Sequence, residues 1–304
     1  MNTKLTFIHA LSPLHAGTGQ GVGVIDLPIA REKATGIPYL PGSSLKGTLR
    51  DLCSHPRKED VFGPSTVNAS EYAGSAQFTD QRLLLLPIRS LKGTFAWVTS
   101  PYLLRRLIRD VQGADAKAVC PELPETSLSG KQYAVARDYC ALLYQDTKDK
   151  RKKVILEDLD LDEDSGFDAV RWAEWIGQRI FQSDPDWQRM LKAKLCIVPD
   201  EVLDFLLITA TEITARIRLG EKLKTVERGA LWYEEALPAE TVLSGLIVAT
   251  EVKAKSEVVF QVIEDVLAQQ SPIQLGGKAT VGRGMCYVGV YPPSRQEQTG
   301  GAAQ

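Results

Sequence analysis

The segment EITARIRL, residues 212–219, constrains this chain more than any other. Ile213, Ala215, Ile217 and Leu219 alternate with Thr214, Arg216 and Arg218, a period of two that a helix cannot use and that a strand with one core face and one basic face requires. After GEKLKTVERGALWYEEALPAE the pattern returns to a strand, TVLSGLIVATEV, so residues 220–240 read as an excursion between two paired strands. The chain opens in the same way, with Leu5, Phe7 and His9 on one face of TKLTFIHA. Helical spacing follows in SLKGTLRDLC, where Leu45, Leu49 and Leu52 form an apolar stripe. Lys46 and Arg50 take another face, and Ser43 or Ser44 is placed to cap the helix. Further helices are predicted at 100–112, 167–182 and 257–270, with a glycine-rich loop and a last strand after them. This order of elements predicts an α+β fold of the ferredoxin-like kind, with helices on one sheet face. The middle of the chain, about 95–200, reads as inserted helices and loops, and the tail, 294–304, as disordered.

Composition narrows the function classes. The chain is 44% hydrophobic and 24% charged, enough to bury a core, and no apolar run approaches the ~20 residues of a membrane span. In MNTKLTFIHALSPLHAG a single lysine precedes an apolar segment broken by His9, Ser12 and Pro13, too weak for a secretory signal, so a cytoplasmic location is expected. Cys53, Cys120, Cys140, Cys196 and Cys286 form no CxxC pair, and their odd number argues against a disulfide framework. With His9, His15 and His55 the only histidines, no zinc site is expected, and a metal would be held by oxygens. The net charge of −2 counts against a nucleic-acid binder. However, EDLDLDED, residues 157–164, reads as a solvated acidic loop, and the rest of the chain is net basic.

Four stretches carry chemistry. GGKATVGRG has the Gly277 to Gly282 spacing of a Walker A loop, but Arg283 and Gly284 follow and the order is helix then strand, so no nucleotide cofactor is expected. What survives is either a backbone that approaches a polyanion beside Lys278 and Arg283, or a structural turn. GSSLKGTLR offers hydroxyls and cations at a helix N-terminus, a weak anion-site signal. VERGALWYEEALP places Leu231, Trp232 and Tyr233 where a hairpin tip normally has turn residues; they form a wedge against bases if the loop projects, or fold back on the core. Finally, Asp26 interrupts the apolar VIDLPI run behind Gly17, Gly19, Gly21 and Gly23, either displayed to a ligand or capping a turn before Pro28.

Together, HAGTGQGVGVIDLPIAREKATGIPYLPGSSLKGTLR resembles the N-terminal signature of the RAMP superfamily (repeat-associated mysterious proteins) of CRISPR systems. GGKATVGRG, with Gly276, Gly277, Gly282 and Gly284, resembles its C-terminal glycine-rich loop. The IDLPI and ALWYEE segments are similar to the backbone ribonuclease subunit of the type III-B, or Cmr, effector complex. The resemblance implies a single RAMP domain over 1–293, a modified ferredoxin-like (RRM-like) palm with a protruding β-hairpin thumb at about 220–240. It further implies a head-to-tail filament of copies along a CRISPR guide RNA, beside other Cmr subunits. Each thumb would expose one phosphodiester of a complementary target RNA, which an endoribonuclease then cleaves at regular intervals. The residue required in the family matches Asp26 here.

Such an enzyme can use the 2′-OH of the RNA as nucleophile, given in-line geometry, a proton acceptor and charge neutralisation at the phosphate. Asp26 could act as base or hold a divalent metal, Mg or Mn, that is not pre-bound. His15 could assist proton transfer, or could contact RNA or cap backbone; Glu227 and Tyr233 of a neighbouring thumb could approach the same bond. Ser43, Ser44, Lys46, Arg50, Arg216, Arg218, Leu231, Trp232, Lys278 and Arg283 are the expected RNA contacts, with the cations converging on one groove. The competing readings are a scaffold that coats guide RNA without cutting and a separate guide-processing nuclease; the second fits less well a chain with a filament subunit's thumb.

Overall fold

The structure, a computed structural model, describes residues 2–19, 25–65, 72–124, 128–147, 150–219 and 226–294; for 219 and 226–229 the backbone alone is described. The first elements are β1 (Asn2–Ala10), β2 (Tyr39–Leu40), α1 (Gly42–Leu52), α2 (Lys58–Phe62), β3 (Ala76–Phe78), β4 (Gln81–Arg89), β5 (Phe95–Thr99) and α3 (Pro101–Ala114). The middle holds β6 (Gln132–Val135), β7 (Tyr144–Gln145), β8 (Lys152–Leu156), β9 (Leu159–Leu161), β10 (Glu163–Asp168), α4 (Val170–Ile180), α5 (Pro185–Lys194), β11 (Leu195–Ile197) and α6 (Asp200–Thr209). The last part comprises β12 (Glu212–Leu219), β13 (Val226–Ala236), β14 (Val242–Ala249), α7 (Ser256–Gln269), β15 (Ile273–Gln274), a 3₁₀ turn at Ala279–Val281 and β16 (Met285–Tyr291).

One mixed sheet runs β10-β6-β11-β5-β4-β14-β1-β16-β15, with β2 on β4 and β3 on β14. Its centre, β4-β14-β1-β16, is antiparallel throughout. Strand alternation in β1 assigns the two cores: Leu5 and Phe7 face one side, Ile8 and Ala10 the other. On the first side lie Leu104, Leu107 and Val111 of α3 with Trp172 and Ile176 of α4. On the second lie Leu45 and Leu49 of α1 with Val259 and Ile263 of α7. Each such fully buried aliphatic side chain contributes ~1.5–3 kcal/mol relative to exposure, and Leu49→Ala would remove ~2–5 kcal/mol by emptying its site.

Helices therefore cover both faces, not one. The stretch at about 95–200 supplies β5, β6, β10 and β11 to the sheet and α3, α4 and α5 to the first of these two sides. The cause is visible in β4 and β5, whose LLLL and AWV runs are buried without alternation, as strands covered on both sides must be. The acidic EDLDLDED stretch is likewise not a loop: its Leu159 and Leu161 alternate as β9, with Leu161 buried, and its last acids enter edge strand β10. Of the expected tail, only Ser294 belongs to the described residues. No described helix is long and apolar enough to cross a membrane.

The pairing around 212–249 also differs from expectation. β12 pairs with β13, from Glu212 opposite Ala236 to Ile217 opposite Leu231, in a two-stranded sheet of its own, whereas β14 lies between β1 and β4. Because this hairpin leaves the main sheet, its apolar face is not core: Ile213 is 53% and Ile217 51% exposed. Its base is anchored by the fully buried Ala236 and Leu237, and its turn at 220–225 lies outside the described residues. Helix α1 starts one residue before the serines. Pro41 precedes it, and the Gly42 amide donates to Asp80 Oδ1 at 2.9 Å, so Ser43 and Ser44 fall in the first turn and do not cap. A Cβ at Gly42 would stand 2.3 Å from the Phe78 carbonyl oxygen, which excludes any larger residue there.

Candidate active site and nucleic-acid interface

The Asp26 segment is held as an added strand between the first glycine stretch and hairpin strand β13. On the β13 side the Leu27 amide donates to the Tyr233 carbonyl at 3.1 Å and the Glu235 amide donates to the Leu27 carbonyl at 3.0 Å. On the other side the Ala30 amide donates to Ala16 at 2.7 Å. Ile29 and Ala30 are buried and fix the segment, while Asp26 is exposed and has no cation partner among the described residues. Its Oδ2 accepts the Tyr233 amide at 2.8 Å, which orients the group. Gly21, Gly23 and Val24 lie outside the described residues.

His15 is buried, 5% exposed. Its Nδ1 lies 2.7 Å from the Glu235 carbonyl, so the ring carries a proton there and donates it. Glycines close around it: a Cβ at Gly17 would stand 2.5 Å from Nε2, and one at Gly276 2.5 Å from the His15 carbonyl, to which the Gly277 amide donates at 2.9 Å. His15 thus joins the two glycine stretches to the hairpin. Tyr233 is exposed beside Asp26, and the side chain of Glu227 lies outside the described residues.

Between the glycine stretches and α1 opens a cavity of about 250 Å³ lined by Ala16, Gly17, Ser44, Thr48, Gly276 and Gly277. Small residues there leave backbone and hydroxyl groups accessible near a helix N-terminus, an arrangement suited to an anion. Thr48 was not among the expected contacts, although its i+4 spacing from Ser44 put it on the same helix face. Ser43 and Lys46 line a different recess, with Phe62, Gly63 and Tyr72. Neither Lys46 nor Arg50 has an ion-pair partner among the described residues.

The other expected RNA cations have a different occupation. Arg216 Nε, Lys278 Nζ and Arg283 Nε stand 3.3, 3.2 and 4.0 Å from the carboxylate of Glu234, which is 3% exposed. Arg283 is itself buried and also reaches Thr214 Oγ1 and Glu212, so it ties the glycine loop to the hairpin instead of lying open to RNA. Burial resists the charge on Glu234, but the Trp232 N–H and the Lys278 and Arg216 cations prevail and hold its carboxyl below the ordinary value. Trp232, donating Nε1–H to Glu234 at 2.8 Å, lies on this polar face, and the expected three-residue wedge is split by strand alternation. Leu231 and Tyr233 form the opposite, exposed face with Ile213 and Ile217, while Arg218 lies exposed further along β12. The full convergence of six cations on one groove is therefore not found; three gather at Glu234, and Lys46 lies in the α1 recess.

Among the described residues no three His, Cys, Asp or Glu side chains are gathered to hold a metal. Asp26 offers a single carboxylate whose hard oxygen suits Mg or Mn, provided substrate phosphates complete the shell.

The family model of the RAMP superfamily matches residues 7–287. The chain belongs to the RAMP superfamily. It is 35% identical over 303 residues to the CRISPR system Cmr endoribonuclease Cmr4 of Pyrococcus furiosus, covering 95% of each protein. Oligomeric Cmr4 from Pyrococcus furiosus is similar in structure, with a TM-score of 0.69 at 27% identity over 95% of this chain and 98% of that one. A chain of the type III-B Cmr-beta complex in its apo state shares the fold, with a TM-score of 0.71 at 21% identity, 97% of this chain and 99% of that one being covered. In this RAMP protein the two glycine stretches and the hairpin, which carried the resemblance, are the parts that meet at Asp26 and His15.

Proposed function

We propose that this chain is a guide-RNA-bound backbone subunit of a type III-B CRISPR complex and cleaves complementary target RNA through Asp26. The observation that carries the reading is the placement of Asp26: an exposed carboxylate, oriented by the Tyr233 amide, at the base of a projecting hairpin. The identity with the Cmr endoribonuclease over nearly the whole chain supports it. The palm is the β1-α1-β4 and β14-α7-β16 pair of units, whose spatial order β4-β14-β1-β16 is that of a ferredoxin-like sheet. Its guide contacts are the hydroxyls of Ser44 and Thr48 and the amides of the glycine loops, with Lys46 and Arg50 adding charge. The thumb's apolar face, Ile213, Ile217, Leu231 and Tyr233, meets the splayed duplex or the next copy in a filament that other Cmr subunits complete.

In the reaction the target's own 2′-oxygen attacks the adjacent phosphorus; the O2′–P bond forms, the P–O5′ bond breaks, and a 2′,3′-cyclic phosphate and a 5′-hydroxyl result. Asp26 accepts the 2′-OH proton, and the leaving 5′-oxygen is protonated from solvent. His15, with Nδ1–H held by the Glu235 carbonyl, would present Nε2 toward Gly17 of the same loop. Alternatively, Asp26 would hold a divalent metal arriving with the phosphate, and that ion would supply charge neutralisation. The scaffold reading lacks a specific observation in its favour, because a scaffold needs no exposed, oriented carboxylate at the hairpin base. The test is cleavage by the reconstituted complex of target RNAs carrying one 2′-deoxynucleotide at successive positions. A regularly spaced product ladder that loses one rung per substitution at a scissile position supports the reading; an intact ladder refutes 2′-OH attack, and no ladder from any target refutes the nuclease.

A further inference from the structure

Glu235 contacts both segments that carry the proposed reaction, using its amide, its carbonyl and its carboxylate. The amide donates to Leu27, next to Asp26, and the carbonyl accepts from His15 Nδ1 at 2.7 Å. The carboxylate, 4% exposed, accepts the Ile29 amide at 3.1 Å through Oε2 and pairs with Arg31 Nη2 at 2.6 Å through Oε1. Arg31 in turn donates to the carbonyls of Gly36 and Leu207, so the ion pair is fixed at both ends.

The side chain supplies something the backbone cannot. Pairing of the Asp26 segment with β13 is a single parallel bridge, Leu27 with Glu234, and the next residue, Pro28, has no N–H to extend it. The buried Ile29 amide would otherwise lack an acceptor on this side, and the Glu235 carboxylate supplies one. With that contact gone, the segment would be attached to β13 only at Leu27 and Asp26 itself, the buried Ile29 amide would lose its acceptor, and the half-buried Arg31 guanidinium would lose its counter-charge.

We propose that Glu235 is the positioning residue of the cleavage reaction, holding the Asp26 segment through Ile29 and Arg31 and the His15 ring through its carbonyl. The proposal rests on the assignment of cleavage to Asp26. Its effect is geometric, and a displacement of about 1 Å at a catalytic group costs on the order of 100-fold in rate.

The experiment compares complexes reconstituted with wild type, Glu235→Gln, Glu235→Ala, Arg31→Ala, Asp26→Asn and the Asp26→Asn/Glu235→Ala double variant. Single-turnover cleavage at saturating target RNA and target affinity are measured separately. Glu235→Ala should lose on the order of 100-fold in rate with affinity held within about twofold, and Glu235→Gln, which still accepts the Ile29 amide, should recover about tenfold of it. On the Asp26→Asn background, Glu235→Ala should cause no further loss, because it acts through Asp26. Wild-type rates in Glu235→Ala, equal losses in Gln and Ala, or losses that multiply with Asp26→Asn would each overturn the proposal while leaving Asp26 in place. If Glu235→Ala does not assemble, Arg31→Ala and Glu235→Gln carry the same comparison. Full cleavage by Asp26→Asn alone would instead overturn the assignment on which the proposal stands.

Discussion

Alanine substitution at three glycines of the 276–284 loop separates two costs that the structure keeps apart. Gly276, Gly282 and Gly284 all have φ between 73° and 78°, the left-handed region in which a Cβ costs ~1–2 kcal/mol. At Gly282 an added Cβ meets open space, so strain alone is expected. At Gly276 it would stand 2.5 Å from the His15 carbonyl oxygen, and at Gly284 1.9 Å from that of Leu275. Backbone must shift in both cases, adding ~1–3 kcal/mol as overpacking does elsewhere. Gly282→Ala should thus cost roughly 1–2 kcal/mol, and Gly276→Ala and Gly284→Ala roughly 2–5 kcal/mol, with Gly284 the more severe. Urea unfolding of the three variants measures this ranking. Equal costs at Gly276 and Gly282 would refute the packing of the loop on His15.

Further expectations concern the hairpin and the charges. The depressed Glu234 carboxyl binds protons less readily in the folded chain, so its contribution to hairpin anchoring is present above the ordinary value of 4.5 and is lost as pH falls through the folded value; the protection of hairpin amides, taken relative to their intrinsic exchange rates, should be flat from pH 7 to 5 and fall below the ordinary value. Arg50→Gln should lower the slope of log affinity for guide RNA against log salt by ~0.7 if that cation meets one phosphate, whereas Arg283→Gln should leave the slope unchanged and lower the melting temperature. Leu231→Ala, on an exposed face, should change stability by less than ~0.5 kcal/mol and yet reduce target cleavage; a matching fall in stability would return that side chain to the core.

Local pattern and long-range contact differ in how far they can be read ahead of the structure. The leucine stripe of α1, the helices at 101–114 and 170–180 and the terminal strands follow from spacing, because each buries a face set by its own period. The EITARIRL alternation identified a strand but not its partner: period two looks the same whether a strand joins the main sheet or leaves with β13. The LDLDE alternation is masked in the sequence by its charge, which reads as a solvated loop. At the site, Asp26 and the glycine loops were legible through their motifs. Glu234 and Glu235 were not, since their partners Arg31, Lys278 and Arg283 lie far away in sequence, 204 residues in the case of Arg31, and only the fold brings them together. The burial of Arg283 was hidden for the same reason, whereas Trp232 and Glu234 are two residues apart and share a face once Val226–Ala236 is a strand.

The central claim is that Asp26 performs the chemistry. Its most direct test is cleavage of guide-complementary RNA by complexes reconstituted with wild type or Asp26→Asn, with guide and target binding measured alongside. The amide of asparagine keeps the acceptor for the Tyr233 N–H and removes the charge and the basicity, so the ladder should fall to a faint residual rate while both affinities stay within about twofold. A ladder of wild-type intensity from Asp26→Asn would place the chemistry on another residue or subunit.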